Sequence, residues 1–167
     1  SFDGYGSDFE CDFNYVEDAL NIGIENTHWS HGSISYNQFA QGSLNSRFQP
    51  FACEGLNVDI ISNKCVTPVR DQSYFVGSRG SKFRDNYLEL AADALAPRCM
   101  LIRNSSNIIG GGNTYINSGS LANASCLTID STTGTSEDIN LSDETFNLNT
   151  LSGQSCVTFT GASTTKI

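Results

Sequence analysis

His28 and His31 are the only imidazoles in the chain. At that spacing, with Glu25 nearby, they could share a helical turn and hold a metal beside a carboxylate. Gly32 and the lack of helical periodicity around them argue against that turn, and no further histidine completes a set. Asp8, Glu10 and Asp12 place acids at alternate positions, a pattern of oxygen ligands that suits calcium. An EF-hand loop would need a glycine at its sharp turn and a bidentate acid where Ala19 stands, so only a looser calcium site is kept for these three acids. Gly110-Gly111-Gly112 leads into Asn113-Thr114, not into the Lys-[Ser/Thr] that opens the helix of a phosphate loop, and reads as a turn. Serines abound, but the only bases are the two histidines, and no G-x-S-x-G elbow occurs. The expectation is no catalytic centre and no cofactor. Scattered acids such as Asp8, Asp12 and Glu25 stand as the residues a secreted hydrolase would use.

Recognition chemistry is better supplied. Trp29, Tyr36 and Phe39 sit among Gly, Ser and Asn, a mixture that suits adaptable polar contacts and stacking on a glycan or partner. Asn104, Asn123 and Asn140 open N-x-[ST] sequons and are possible glycosylation sites. In a chain this rich in Asn, Ser and Thr, that number is what chance supplies.

Cys11, Cys53, Cys65, Cys99, Cys126 and Cys156 are even in number and widely spaced. No C-x-x-C exists, so neither a zinc ribbon nor a thioredoxin-like motif is available. The pattern predicts three structural disulfides formed in an oxidising compartment. Cys53–Cys65 closes the shortest loop and is the first pairing expected, worth roughly 2–4 kcal/mol.

These residues lie in a chain of 167 with net charge −9 and only 16% charged side chains. That balance excludes a phosphate-neutralising surface, so nucleic acid is not an expected partner, nor is anionic lipid. No apolar run reaches the roughly 18 residues of a membrane span. Asp3 to Glu25 is purely acidic, whereas Lys64 to Arg103 holds seven of the nine bases. Such opposite patches could neutralise each other within one molecule or between identical copies. The chain opens at Ser1 without a basic-then-apolar leader, which reads as a processed product.

The elements that must position these groups follow from periodicity. Phe9, Cys11, Phe13 and Tyr15 alternate with Asp8, Glu10, Asp12 and Asn14, which predicts one half-buried strand with an acidic outer row. Val16, Leu20 and Ile24 suggest a short helix over 16–24. The stretch 28–49 reads as loops with short strands around 33–39. Further strands are expected at 56–61, 65–69, 99–103, 114–116, 125–129 and 155–160. Tyr87, Leu90, Ala91, Ala94 and Leu95 form an amphipathic stripe, Asp85 can cap it and Pro97 can stop it, so an α-helix is predicted over 85–96. No repeat of 20–50 residues stands out, which excludes solenoids and propellers.

The resulting expectation is an α+β fold, a mainly antiparallel sheet with one helix, stapled by disulfides. Residues 1–103 form the aromatic core region and 104–167 a Ser/Thr-rich β extension packed on it. The expected role is a secreted, non-catalytic structural or adhesive subunit of a filament, pilus or surface layer, polymerising with identical copies. The alternative is a receptor- or glycan-binding domain of a surface glycoprotein, such as a viral attachment protein. Neither role involves nucleic acid or direct membrane insertion.

Overall fold

The computed structural model describes residues 5–17, 22–41, 48–121, 124–148 and 154–161. Among them there is no α-helix, and every pair of strands is parallel. The chain winds as a parallel β-solenoid of six coils, each supplying one strand to each of three six-stranded sheets. The first sheet stacks Glu10–Asp12, Gly32–Ser35, Val58–Ile61, Lys82–Arg84, Ser106–Gly111 and Glu137–Ser142. The second stacks Tyr15–Glu17, Gln38–Ala40, Lys64–Cys65, Tyr87–Leu90, Thr114–Asn117 and Thr145–Leu148. The third stacks Ile22–Asn26, Gln49–Cys53, Ser73–Val76, Arg98–Arg103, Ser125–Asp130 and Ser155–Thr160.

The predicted α+β fold with an antiparallel sheet is therefore corrected, and so is the exclusion of solenoids. A repeat exists, but its period is not constant. One cassette recurs with fixed length: a left-handed residue, four extended residues, a second left-handed residue, then a polar residue that bonds to its counterpart on the next coil. The first left-handed corner is Asp8, His31, Asn57, Gly80, Asn107 and Asp138; the second is Phe13, Tyr36, Ser62, Asp85, Gly112 and Asp143. Between cassettes the connections vary, so the inward polar residues are 23, 26, 23, 27 and 31 residues apart. A search for a fixed period misses such a repeat. The corners were the legible signal, because Asn, Asp, His and Gly tolerate positive φ better than other residues.

That inward position carries the ladder that locks the coils together. Asn14, Asn37, Asn63, Asn86 and Asn113 each donate a side-chain N–H to the next residue in the column, ending on Glu144, over 2.9 to 3.0 Å. Each also donates its backbone N–H to the same acceptor side chain, at 2.9 to 3.1 Å. The turn's own polar groups are thus satisfied inside the protein, where leaving one unpaired costs roughly 1–3 kcal/mol. Stacked amides of this kind also stabilise cross-β assemblies.

Behind the ladder the core is a run of rings. Phe39 meets Phe51 at 6.4 Å between centroids, Phe51 meets Phe83 at 6.0 Å, Phe83 meets Tyr115 at 6.4 Å, and Tyr115 stacks on Phe146 at 5.2 Å. Each such pair contributes about 0.5–1.5 kcal/mol beyond burial.

Three further expectations change. First, the predicted helix over 85–96 begins at a left-handed corner, Asp85, and continues as the strand Tyr87–Leu90. Leu88 and Leu90 point inward at 2% and 1% exposure, a period of two, while Leu95 of the supposed stripe is 43% exposed. Pairing of Tyr87 to Lys64 on one side and Thr114 on the other overrides the local helical pattern. Likewise Tyr15–Glu17 and Ile22–Asn26 are strands where a short helix was expected; residues 18–21 lie outside the described set. Second, Phe9 to Tyr15 is not one strand. The left-handed backbone at Phe13, with φ 59°, reverses the alternation, so Phe9 is buried while Phe13 and Tyr15 face solvent and Asn14, though exposed at the end of the rod, bonds to the buried Asn37.

Third, the predicted disulfides are absent: Cys11, Cys53, Cys65, Cys99, Cys126 and Cys156 are all free thiols. Cys53 and Cys65 belong to different sheets and different coils. Register places Cys99 beside Cys126, and Cys126 beside Cys156, in one column of the third sheet. Parallel neighbours there lie about 4.8 Å apart with side chains pointing the same way, whereas a disulfide wants Cβ atoms nearer 3.8 Å. Burial raises the Cys53 and Cys99 thiols and pushes Cys65 up to about 12, so these three behave as small apolar side chains. Strands expected at 99–103, 114–116, 125–129 and 155–160 are present.

Candidate functional site

The two left-handed corners bound the outer face of the first sheet, and along that face the chain builds an open groove of about 810 Å³. One wall is the first corner column, with Asp8, His31 and Asn57 on successive coils. The floor carries outward side chains in register, Glu10 beside Ser33, Ser33 beside Asp59, and Asp59 beside Lys82. Because parallel strands are about 4.8 Å apart, these groups repeat at that spacing along the rod axis.

Local bonds order the groove. Lys82 Nζ donates to Asp59 Oδ2 at 2.9 Å on an exposed surface, where such a pair is worth about 0.2–1 kcal/mol. Asn57 Nδ2 and His31 Nε2 are 3.2 Å apart, and Ser7 Oγ donates to Asp8 Oδ2 at 2.9 Å. Asp12 faces the same side, but Ser33 Oγ donates to both of its oxygens at 2.9 Å and the Ser35 N–H donates at 2.8 Å. Of the three calcium candidates, Asp8 and Glu10 therefore line the groove and Asp12 serves the strand beneath. Among the described residues no three His, Cys, Asp or Glu side chains group as a metal site. His31 lines the groove, whereas His28 is in a left-handed turn with its ring 5.1 Å from that of Tyr5.

The opposite edge of the face holds a second feature. Phe13 and Tyr36 occupy successive positions of the second corner, with φ 59° and 57°. A bulky side chain in the left-handed region costs about 1–2 kcal/mol, and the other four coils place Ser62, Asp85, Gly112 and Asp143 there. Burial does not offset that cost, since Phe13 is 77% exposed and Tyr36 51%. Their rings stack at 4.9 Å between centroids and 4° between planes, and Tyr15, two residues after Phe13, is 59% exposed.

Of the aromatics proposed from sequence for ligand contact, Tyr36 is in this exposed pair. Phe39 is fully buried in the core, and Trp29 is half-buried, edge-on to Phe9 at 6.4 Å and packed against Gly6. Phe13 and Tyr15 escaped sequence reasoning because strict alternation assigned them to the buried face; the left-handed corner just before Asn14 was the signal that could have found them. The sequon residue Asn140 is exposed on the outer face of the first sheet, Asn104 donates to Thr133 Oγ1 at 3.0 Å, and Asn123 lies outside the described residues. Elsewhere, Asp130 is buried, which alone would raise its carboxyl, but bonds from Thr132 and Arg103 outweigh this and hold it well below the usual carboxylate range. Glu144 is raised by burial, against the lowering effect of its two bonds from Asn113.

Compared with protein-family models, curated proteins and solved structures, the chain matches none.

Proposed function

We propose that the chain is a stiff, non-catalytic adhesive rod that binds a carbohydrate chain along the outer face of its first sheet, displayed outside the cell. The observation that carries this reading is the groove itself, which spans four coils and repeats polar donors and acceptors once per coil. A polymeric ligand with hydroxyls at a comparable repeat would meet equivalent partners on each coil. The groove is too open and too polar for an apolar cofactor, which wants enclosure. Net charge −9 disfavours polyanions. With the thiols free, export rests on this surface chemistry and no longer on cross-links. Titration calorimetry of the chain with cellohexaose, chitohexaose and mannohexaose tests the reading, and Asn57→Ala with Asp59→Ala should weaken whichever binds. If none of the three binds, the reading fails.

A second reading, a homopolymer built from identical copies, is favoured by one observation. The last described strand of each sheet, Glu137–Ser142, Thr145–Leu148 and Ser155–Thr160, has a hydrogen-bonded neighbour on one side only among the described residues. Unpaired edges can template further strands. Sedimentation velocity across a hundredfold concentration range distinguishes it, since a species that stays monomeric removes its support.

A further inference from the structure

We infer that the second corner holds a pyranose-stacking subsite, formed by the ring of Tyr36 with Ser62 beneath it, separate from the groove but resting on the same carbohydrate reading. The ring column begins with Phe13 and Tyr36, so one face of Tyr36 is covered by Phe13. Register puts Ser62 next in the column, after Ser35 pairs with Ile61, and Asp85 next again, after Ile61 pairs with Arg84. Ser62 supplies only a hydroxymethyl group there. The carboxylate of Asp85 leans the other way, over Gly112, where a Cβ would come within 2.5 Å of its Oδ1. A notch one coil deep is therefore left on the uncovered face of Tyr36.

A ligand ring seated in that notch would continue the stack at its own spacing. The notch combines an aromatic face with the Ser62 hydroxyl, and the exposed Asp85 and Arg84 stand on the adjoining coil. A pyranose matches this pairing, since it offers an apolar C–H face to the ring and hydroxyls at its rim. A wholly apolar partner would desolvate Ser62 and Asp85 without compensation. The strained backbone supports a ligand role over a purely structural one, because two bulky residues are held in a conformation that the other coils give to small or polar residues.

The test uses the whole chain and the same three hexasaccharides. For the one that binds, Phe13→Asn with Tyr36→Asn should lower affinity roughly tenfold. Tm should stay within about 2 °C or rise, since Asn tolerates positive φ. Ser62→Tyr fills the notch by extending the ring column and should weaken binding similarly, with Tm lowered by no more than a few degrees because stacking on Tyr36 offsets part of the cost of a bulky residue at φ 56°. Tyr36→Trp should retain binding. If both corner variants bind as tightly as the native chain while the groove variants do not, the subsite is overturned and the groove reading stands. If no hexasaccharide binds the native chain, both are overturned.

Discussion

Asp85 and Asn86 are neighbours in sequence and belong to opposite worlds. Asn86 is 1% exposed and sits in a column that is asparagine in five coils and glutamate in the sixth. Asp85 faces solvent in a column that runs Phe, Tyr, Ser, Asp, Gly, Asp. The inward column is uniform because each coil must satisfy the same turn donors, and at Asn37, Asn63, Asn86 and Asn113 no water reaches them. The outward column asks only that the residue survive positive φ, so its variation is free to carry recognition. The contrast separates what holds the rod together from what the rod presents.

Asn86→Ala should break that contrast most severely. It strands the Asn63 backbone N–H and one of its side-chain N–H donors and takes a donor from the Ile60 and Arg84 carbonyls, while Asn113 Oδ1 keeps the backbone N–H of residue 86; an unfolding free energy lower by about 3 kcal/mol is expected in urea denaturation. Asp130→Asn should come next. Its carboxyl is lowered on folding, so its stabilisation is present above the ordinary carboxylate pKa and is lost as pH falls through the lowered value. Thermal melts from pH 6 down to pH 2 should show the native chain losing on the order of 1–2 kcal/mol that the variant has already lost at pH 6. Asp85→Ala, one residue from the first site, should cost only about 1 kcal/mol, chiefly from alanine at φ 55°. A loss near that of Asn86→Ala would dissolve the comparison.

Glu144→Gln should have the smallest effect and the opposite sign. Folding raises this carboxyl, so its ionisation works against the folded state as pH climbs through and beyond the ordinary value. The amide oxygen of a glutamine can accept both Asn113 donors as the asparagines do elsewhere in the ladder. Melting at pH 7 should therefore rise by a degree or so, with no gain at pH 4.

Much of the strand content could be read from the residues, including the strands around Cys99, Cys126 and Cys156. The break between the strands expected at 56–61 and 65–69 was also legible, but its meaning was not. Local alternation cannot say whether the next strand returns antiparallel or advances to another sheet. The helix expected at 85–96 failed for the same reason: Leu90, Ala94 and Leu95 fit a helical stripe, yet Tyr87–Leu90 is held between two other strands whose backbone groups need partners. In the candidate site, Tyr36, Asp8 and Glu10 were in view from the start. Phe13 and Tyr15 were hidden by a single reversed residue.

Composition by itself determined a chain rich enough in aromatics to fill a narrow core, poor in positive charge, and supplied with Asn, Asp and Gly where a backbone could turn left-handed. Only the tertiary structure decided that those turns stack in register. Stacking converts scattered asparagines into one hydrogen-bonded column and scattered side chains into a repeating face, because each coil satisfies its polar groups through the coil above or below it and not through its neighbours in sequence.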